Sequence, residues 1–312
     1  MMMKKIALMM AALLAATLLA GAQSMKEATE KAQEANAALM AGNHADALEG
    51  FKAALTMAQA CGDEGAELTL TCQNAICGLM YSAAKQAFDD GDYDGAIAKA
   101  QEAKTVAAEY GNDEFVGRNE SVVTNAYTKK AGVLMNAKDF DGAAEVYKQL
   151  LELNPENGVA ALRLVQACTH AGKMDDAKAA FEIAKTNGKE AEAAKVLGNA
   201  YLKQAAGKLQ GKDYAGAIAD ANEANAYNEN AKAYLVAGQA SQKSGKNAAA
   251  IEYFSKYLEL APNDKNAGSI AFTVGALYQQ AGNQKAAAEY YQKAVNDPKL
   301  GAEAQKALAA LK

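Results

Sequence analysis

The sequence predicts an all-α protein built as a solenoid of short helix–turn–helix repeats, and three observations lead to this fold class. No run of alternating β-branched residues, the pattern of a half-buried strand, is found along the chain. A pattern of small and large residues instead recurs with helical spacing. The three prolines, Pro155, Pro262 and Pro298, each follow a helical stretch, where proline stops a helix. Alanine supplies much of the 51% hydrophobic content, which suits closely packed helices.

Residues 1–22 are predicted to be a secretory signal peptide of bacterial type. Lys4 and Lys5 precede an apolar run that reaches Ala20, and the small residues that follow fit cleavage after Ala22. An uncleaved membrane anchor is the alternative, but the run is short for a span of ~20 residues. A lipid anchor is not expected, because a lipoprotein signal needs cysteine where Ala22 stands. We therefore expect a periplasmic or secreted protein with no stable membrane anchor after cleavage.

Residues 23–301 are expected to form about seven helical hairpins, several of them lengthened. The clearest hairpin spans residues 231–262. Small residues, Gly238 and Ala250, stand where its two helices would cross closely, and Tyr234 and Phe254 would fill the space beside the crossing.

The second helix of each hairpin opens with a small residue, and the residues four and seven positions later share its face. The opening residues are Ala47, Ala96, Ala143, Ala177, Ala217, Ala250 and Ala287. Four positions later stand Phe51, Ala100, Tyr147, Phe181, Ala221, Phe254 and Tyr291, and seven positions later Ala54, Ala103, Leu150, Ala184, Ala224, Tyr257 and Ala294. This spacing predicts a buried face on every second helix.

The turns lie three residues before each opening alanine, at His44, Tyr93, Phe140, Met174, Tyr214, Asn247 and Gln284. Glycines precede many of them and are expected to end the first helices in a left-handed conformation. Extra residues near 62–76 and 111–123, and fewer near 188–210, predict longer hairpins. Residues 302–312 are expected to form a capping helix with Leu308 and Leu311 facing inward.

This pattern resembles the tetratricopeptide repeat, a helix–turn–helix unit of roughly 34 residues. The resemblance covers residues 24–312 and is clearest near 124–157, 158–191, 231–264 and 268–301. It implies a right-handed superhelix whose first helices line a concave groove. It also implies that this groove binds an extended or helical peptide.

By alignment with the repeat, ten residues are candidates for binding in the groove. They are Asn36, Tyr81, Lys85, Phe88, Asn125, Gln166, Asn199, Leu235, Gln239 and Phe272, with Leu162, Leu202 and Gln279 at further inward positions. Asn and Gln offer a donor and an acceptor to a peptide backbone, and the aromatic rings offer apolar anchors. Packing against neighbouring helices is the alternative role at each position.

No catalytic set is found, so the protein is not expected to be an enzyme, and no cofactor or metal is expected. The two histidines, His44 and His170, fall in distant repeats and are expected to be solvated or capping residues. Asp89 to Asp94 comes nearest to a calcium loop, but its glycine and tyrosine fit the turn of the repeat.

Four cysteines in an exported chain raise the question of disulfides. Structural thiols are favoured, and the sharper alternative is a bond from Cys61 to Cys72 or Cys77. Cys168 is expected to be a small buried residue on a first helix.

The sequence thus predicts an exported scaffold or adaptor that binds another protein or peptide, with a partner in the cell envelope. A binding protein for a small ligand or cell-wall fragment is the alternative. Nucleic acid is not an expected partner, because the net charge is −5 and no basic stripe is present. Recognition of a chaperone C-terminus is rejected, because Ala32, Asn36, Tyr81 and Lys85 give an incomplete basic clamp.

Overall fold

The structure is a computed structural model that describes residues 23–311, so the predicted signal peptide lies outside the described residues. The described residues form helices and turns, and no strand occurs among them. The predicted all-α class is therefore confirmed. The chain divides into two compact units, with the boundary between Val133 and Leu134.

The first unit contains helices α1 to α5, which have these bounds. Helix α1 is described over residues 23–40, followed by α2 (His44–Ala60), a short 3-10 turn (Gly62–Gly65), α3 (Ala66–Asp89), α4 (Tyr93–Glu109) and α5 (Asp113–Asn136). Helices α3 and α5 have 24 residues each. The extra residues predicted near 62–76 and 111–123 thus lengthen first helices.

The second unit contains the end of α5 and helices α6 to α15. Their bounds are α6 (Phe140–Leu153), α7 (Gly158–Ala171), α8 (Met174–Thr186), α9 (Glu190–Gln210), α10 (Tyr214–Tyr227), α11 (Ala231–Lys243), α12 (Asn247–Leu260), α13 (Ala267–Gln280), α14 (Gln284–Ala294) and α15 (Gly301–Ala310). The neighbours α7 and α8, α9 and α10, α11 and α12, and α13 and α14 pack as hairpins.

The second helices begin where the sequence places the turns. Helices α2, α4, α6, α8, α10, α12 and α14 start at the seven turn residues, from His44 to Gln284. Every opening alanine is buried, as is every residue four and seven positions later. The predicted buried face is confirmed, because these three positions lie on one side of a helix with 3.6 residues per turn.

Close helix crossings explain where the large and small residues stand. A Cβ atom placed on Gly238 of α11 would lie 2.5 Å from ring carbon Cδ1 of Phe254 on α12. The next hairpin repeats the arrangement, with Gly275 of α13 beside Tyr291 of α14 at 2.8 Å. Glycine on the first helix therefore makes room for the ring on the second.

Two turns depart from the glycine pattern. Lys138, before α6, has a φ of 62°, and Lys212, before α10, has a φ of 64°. The corresponding residue before α4 is Gly91, with a φ of 80°. A left-handed conformation is unfavourable for a residue with a Cβ atom. Both lysines are followed by an aspartate that caps the next helix, such as Asp139, whose Oδ1 accepts a 2.9 Å hydrogen bond from the Gly142 amide.

The last helix, α15, packs on small residues. Gly301 and Ala304 are buried, whereas Leu308 and Leu311 are only half-buried. A Cβ atom on Gly301 would lie 2.5 Å from the Val295 carbonyl oxygen, so this short helix begins in close contact with the preceding turn. The inward residues of α15 are thus the small ones at its start.

All four cysteines have free thiols. Cys61 is half-buried, and its Sγ donates to the Met57 carbonyl at 3.3 Å. Cys72, Cys77 and Cys168 are buried, and burial raises the pKa of each of these thiols. Structural thiols, with a bond from Cys61 to Cys72 or Cys77 as the alternative, stay a prediction for the exported protein. In residues 23–311 no helix is both long enough and apolar enough to cross a membrane.

Candidate functional site

A groove between α3 and α5 in the first unit is the candidate site. Its volume is about 220 Å³, and its lining residues are Tyr81, Lys85, Phe88, Arg118, Ser121, Val122 and Asn125. Four of them, Tyr81, Lys85, Phe88 and Asn125, are among the residues selected from the sequence. We refer to this site as the α3–α5 groove.

Helical spacing brings these side chains together. Tyr81, Lys85 and Phe88 are separated by four and three residues, so they share one face of α3. The buried residues Ala84 and Ala87 lie beside this face and pack in a hydrophobic cluster with α4 and α5. That cluster fixes the two walls of the groove.

Aromatic rings form the apolar part of the groove wall. The ring centres of Tyr81 and Phe115 are 5.9 Å apart, and those of Phe88 and Tyr93 are also 5.9 Å apart, edge to face. Tyr81 and Phe88 are half-buried, so part of each ring remains open to a ligand. Half-buried aromatic rings of this kind are frequent anchors in protein interfaces.

Arg118 stands over two of these rings. Its guanidinium carbon lies 5.1 Å from the centre of the Phe115 ring and 5.7 Å from that of Tyr81. Glu114, one turn earlier on α5, forms an ion pair with it. On the facing wall, Lys85 Nζ donates to Asp89 Oδ1 at 2.7 Å. Both ion pairs are exposed and lie within single helices, where such pairs contribute only a few tenths of a kcal/mol.

Two polar side chains complete the groove. The Ser121 hydroxyl donates to the Gly117 carbonyl at 3.0 Å, which leaves its oxygen lone pairs available. The Asn125 amide is exposed and makes no side-chain hydrogen bond within residues 23–311. An exposed amide offers both donors and an acceptor, which suits the backbone of an extended peptide.

The other predicted binding residues do not line this groove. Asn36 is exposed on α1. Five more lie in the second unit, where Gln166, Leu235, Gln239 and Phe272 are half-buried and Asn199 is exposed.

Several of the inward positions in the second unit have packing roles. Leu235 packs against the cluster around Phe254. Phe272 packs against Tyr291 with the two rings tilted by 51° and their centres 5.3 Å apart. Gln279 accepts a 2.7 Å hydrogen bond from the Tyr291 hydroxyl. These side chains therefore contact other residues of the second unit, which is the packing role given above as the alternative.

Arg118, Ser121 and Val122 were missed in the sequence. They precede Asn125 by seven, four and three residues, which places them on the same face of α5 as Asn125. This spacing could have identified them as groove residues. They were missed because the lengthened α5 extends beyond a repeat of ordinary length, so alignment to the repeat assigned them no role.

The structure also locates the residues considered for chemistry. No group of residues suited to hold a metal ion occurs in the described part of the chain. The acidic stretch from Asp89 to Asp94 forms the turn between α3 and α4, where Asp92 Oδ1 accepts a 2.9 Å hydrogen bond from the Gly95 amide and so caps α4. His170 stacks on Phe140, with ring centres 4.8 Å apart.

The successive helical hairpins define the chain as a helical repeat protein. Sequence models of the tetratricopeptide repeat match residues 134–200, 231–264 and 269–296. The chain therefore carries tetratricopeptide repeats in these segments, and its fold is a solenoid of that type. Repeats of this kind are generally non-catalytic scaffolds with protein or peptide partners.

Solved structures of other repeat proteins resemble the chain only in part. A crystal structure of MamA is 26% identical, over 58% of this chain and 94% of that chain, with a TM-score of 0.35. TTC0263, a TPR protein of Thermus thermophilus, is 18% identical over 60% and 98%, with a TM-score of 0.26. YrrB, described as a TPR protein with an unusual peptide-binding site, is 21% identical over 58% and 91%, with a TM-score of 0.32. No curated protein matches the sequence.

Proposed function

We propose that this protein is an exported scaffold that binds a segment of another protein in the α3–α5 groove. The main support for this proposal is that four residues chosen from the sequence line one open groove together with Arg118. The four are Tyr81, Lys85, Phe88 and Asn125. Tyr81 and Phe88 offer apolar anchors in this groove, and Lys85, Arg118 and Asn125 offer hydrogen-bond donors. The protein acts by binding, with no chemical step assigned to it.

The size of the groove favours a peptide over a small ligand. Pockets for whole small molecules usually measure roughly 300–1,000 Å³, whereas this groove measures about 220 Å³. It suits one or two side chains of a longer segment. Its walls are two packed helices, so the protein loses little conformational entropy on binding.

Export is proposed from the signal-peptide pattern of residues 1–22, and an exported protein would meet its partner in the cell envelope. Intact-mass measurement of the protein from its own cells tests this part separately. A mature chain that begins at Gln23 and is recovered from the periplasm or medium is expected. A full-length chain in the cytoplasm would refute export and leave the groove proposal intact.

Cross-linking mass spectrometry on the tagged protein in its own cells tests binding. Lys85 lines the groove, whereas Lys99 lines a separate cleft of the same unit, so it serves as an internal control. We expect recurrent links from Lys85 to one envelope protein and fewer from Lys99. Equal labelling of both lysines, or links only within the chain, would contradict the proposed role of the groove.

A further inference from the structure

Two turns of the second unit carry the same dipeptide and pack against each other. Asn157-Gly158 lies between α6 and α7, and Asn187-Gly188 lies between α8 and α9. A Cβ atom placed on Gly158 would lie 2.3 Å from the Asn187 carbonyl oxygen, so the two turns are in close contact. Asn187 Nδ2 also donates a 3.1 Å hydrogen bond to the Pro155 carbonyl. These contacts join two successive hairpins where α6 and α8 end.

Asparagine followed by glycine is prone to deamidation, because glycine has no Cβ atom to hinder the approach of its amide nitrogen to the asparagine side chain. In this reaction the nitrogen loses its proton to solvent and forms a bond with the side-chain carbon Cγ. The bond from Cγ to Nδ2 breaks, and ammonia leaves after it takes up a proton. Water then opens the five-membered ring and gives aspartate or isoaspartate. The backbone amide of the glycine must therefore be free to move.

The fold restrains the reacting groups at Asn157. Its Oδ1 accepts a 3.0 Å hydrogen bond from the Ala160 amide and so caps α7. The Gly158 amide donates to the Glu156 carbonyl at 2.8 Å. Gly158 is buried against the Asn187 carbonyl. Because a short hydrogen bond and close packing hold the attacking nitrogen, we expect slow deamidation at Asn157.

The attacking nitrogen beside Asn187 is much less restrained. The Gly188 amide lies 3.4 Å from the Lys185 carbonyl oxygen, which is longer than an ordinary hydrogen bond. Gly188 is exposed, and a Cβ atom placed on it would meet no heavy atom of the described chain within 4 Å. The Gly188 nitrogen can thus move towards the Asn187 side chain without displacing a neighbour.

Deamidation of Asn187 would remove a donor from a position that faces two acceptors. Its Nδ2 donates to the Ile183 carbonyl at 2.9 Å as well as to the Pro155 carbonyl. A carboxylate donates no hydrogen bond, so both carbonyls would then face a negative charge. Isoaspartate would also add one carbon to the backbone and shift the carbonyl on which Gly158 packs. Both products therefore weaken the contact between the two turns.

The same chemical change at Asn157 has a different consequence. Asn157 acts as an acceptor at the start of α7, and aspartate accepts from the Ala160 amide equally well. A negative charge is also favourable at the N-terminus of a helix. Asn157 is thus a matched control within the chain, with the same dipeptide in a different structural setting.

We propose that Asn187 is a deamidation site of the folded protein, and that its conversion weakens the contact between the α6–α7 turn and the α8–α9 turn. The stability of the second unit therefore falls as the molecule ages. This inference concerns a site outside the α3–α5 groove and is independent of the proposed partner.

Incubation of the purified protein at mildly alkaline pH, in water enriched in heavy oxygen, tests the site of reaction. Water supplies one oxygen atom to each product, so peptide mapping by mass spectrometry measures the reaction at Asn187 and Asn157 separately. In the folded protein, label should enter at Asn187 several-fold faster than at Asn157. In urea-unfolded protein the two rates should be equal, because the dipeptide is the same.

Three results of this experiment would refute the proposed site. They are equal rates in the folded protein, faster reaction at Asn157, and no reaction at either residue. A preference for Asn187 that persists in the unfolded chain would show that the sequence selects the site, which would contradict the role given to the fold.

Direct substitution tests the effect on stability. Asn187→Asp should lower the midpoint of urea unfolding, because the Pro155 and Ile183 carbonyls lose their donor. Asn157→Asp should leave the midpoint unchanged or raise it. An unchanged midpoint for Asn187→Asp would refute the weakened contact. A decrease of equal size in both variants would also refute it, because the added charge would then explain the effect.

Discussion

The guanidinium carbon of Arg118 on α5 lies 5.7 Å from the centre of the Tyr81 ring on α3. This contact joins a residue that the repeat pattern indicated to one that it did not. It also spans the groove where we propose that a partner segment binds.

Removing the aromatic ring of Phe88 is expected to weaken binding. Phe88→Ala should reduce affinity for a peptide selected from a random display library on the unmodified protein by about 10-fold or more, because a central aromatic anchor often contributes over 1 kcal/mol. Titration calorimetry measures this effect. Phe140→Ala is the matched control, since Phe140 is also half-buried and lies in the other unit. Equal affinity of the two variants would contradict the assigned role of Phe88, and a loss of helicity in Phe88→Ala would show that its role is structural.

The close crossing of α11 and α12 predicts opposite effects for two glycine substitutions. Gly238→Ala should destabilise the protein by about 1–2 kcal/mol, because its new methyl group would overlap the Phe254 ring. Gly207→Ala in α9 should stabilise it by roughly 0.5–1 kcal/mol, because open space surrounds Gly207 and alanine favours a helix. Urea unfolding measures both. A stabilising effect of Gly238→Ala would show that the ring moves away freely.

The left-handed lysines predict stabilising substitutions. Lys138→Gly should raise the free energy of unfolding by about 0.5–1 kcal/mol, because relief at a φ of 62° outweighs the added freedom of the unfolded chain. Lys212→Gly should behave similarly. Gly91→Ala, the reverse change at a φ of 80°, should destabilise by about 1 kcal/mol. Thermal melting measures all three, and a lower melting temperature for both lysine variants would contradict this account.

The alkaline stability of the second unit should depend on Tyr257. Burial and the neighbouring carboxylate of Asp264, which accepts a 2.6 Å hydrogen bond from the Tyr257 hydroxyl, raise the pKa of Tyr257 to about 12. In the unfolded chain this phenol ionises near pH 10. The raised pKa therefore stabilises the fold fully below about pH 10, and this contribution is lost as the pH rises from 10 to 12.

Tyr257→Phe tests this dependence. The variant should be less stable at pH 8 by about 1 kcal/mol, through loss of the hydrogen bond, and should lose less stability between pH 9 and pH 11.5. Tyr253→Phe is the matched control, since Tyr253 lies on the same helix, is only half-buried, and its hydroxyl accepts a hydrogen bond from the uncharged Asn222 amide. Melting curves measured across this pH range would refute the assignment if the two variants have the same alkaline slope.

The sequence was sufficient for features that depend on local spacing. The starts of seven second helices and their buried faces follow from residues four and seven positions apart, as at Ala250, Phe254 and Tyr257. Features that depend on contacts between helices were harder to predict. Arg118 belongs to the groove because it contacts Tyr81 on another helix. The residues next to Arg118 in the sequence do not indicate this contact.

Two other features run against the conformational or burial preference of the residue type, and so they were not predicted. Lysine disfavours a left-handed conformation, yet Lys138 adopts it because the chain must turn there between α5 and α6. On α15, the pattern favoured Leu308 as an inward residue, but the close approach of the preceding turn selects the small residues Gly301 and Ala304. In both cases the requirements of packing override local propensity.

Site-specific photo-cross-linking identifies the surface of the first unit that the partner contacts. Ser121 is exposed in the α3–α5 groove, and Ser82 is exposed on α3 in a separate cleft of the same unit. A benzophenone amino acid placed at either position in the cells that make the protein would report which surface the partner contacts. We expect one discrete protein adduct from position 121, which Arg118→Gln weakens, and little adduct from position 82. The same adduct in equal amount from both positions, or only from position 82, would contradict the proposed role of the groove.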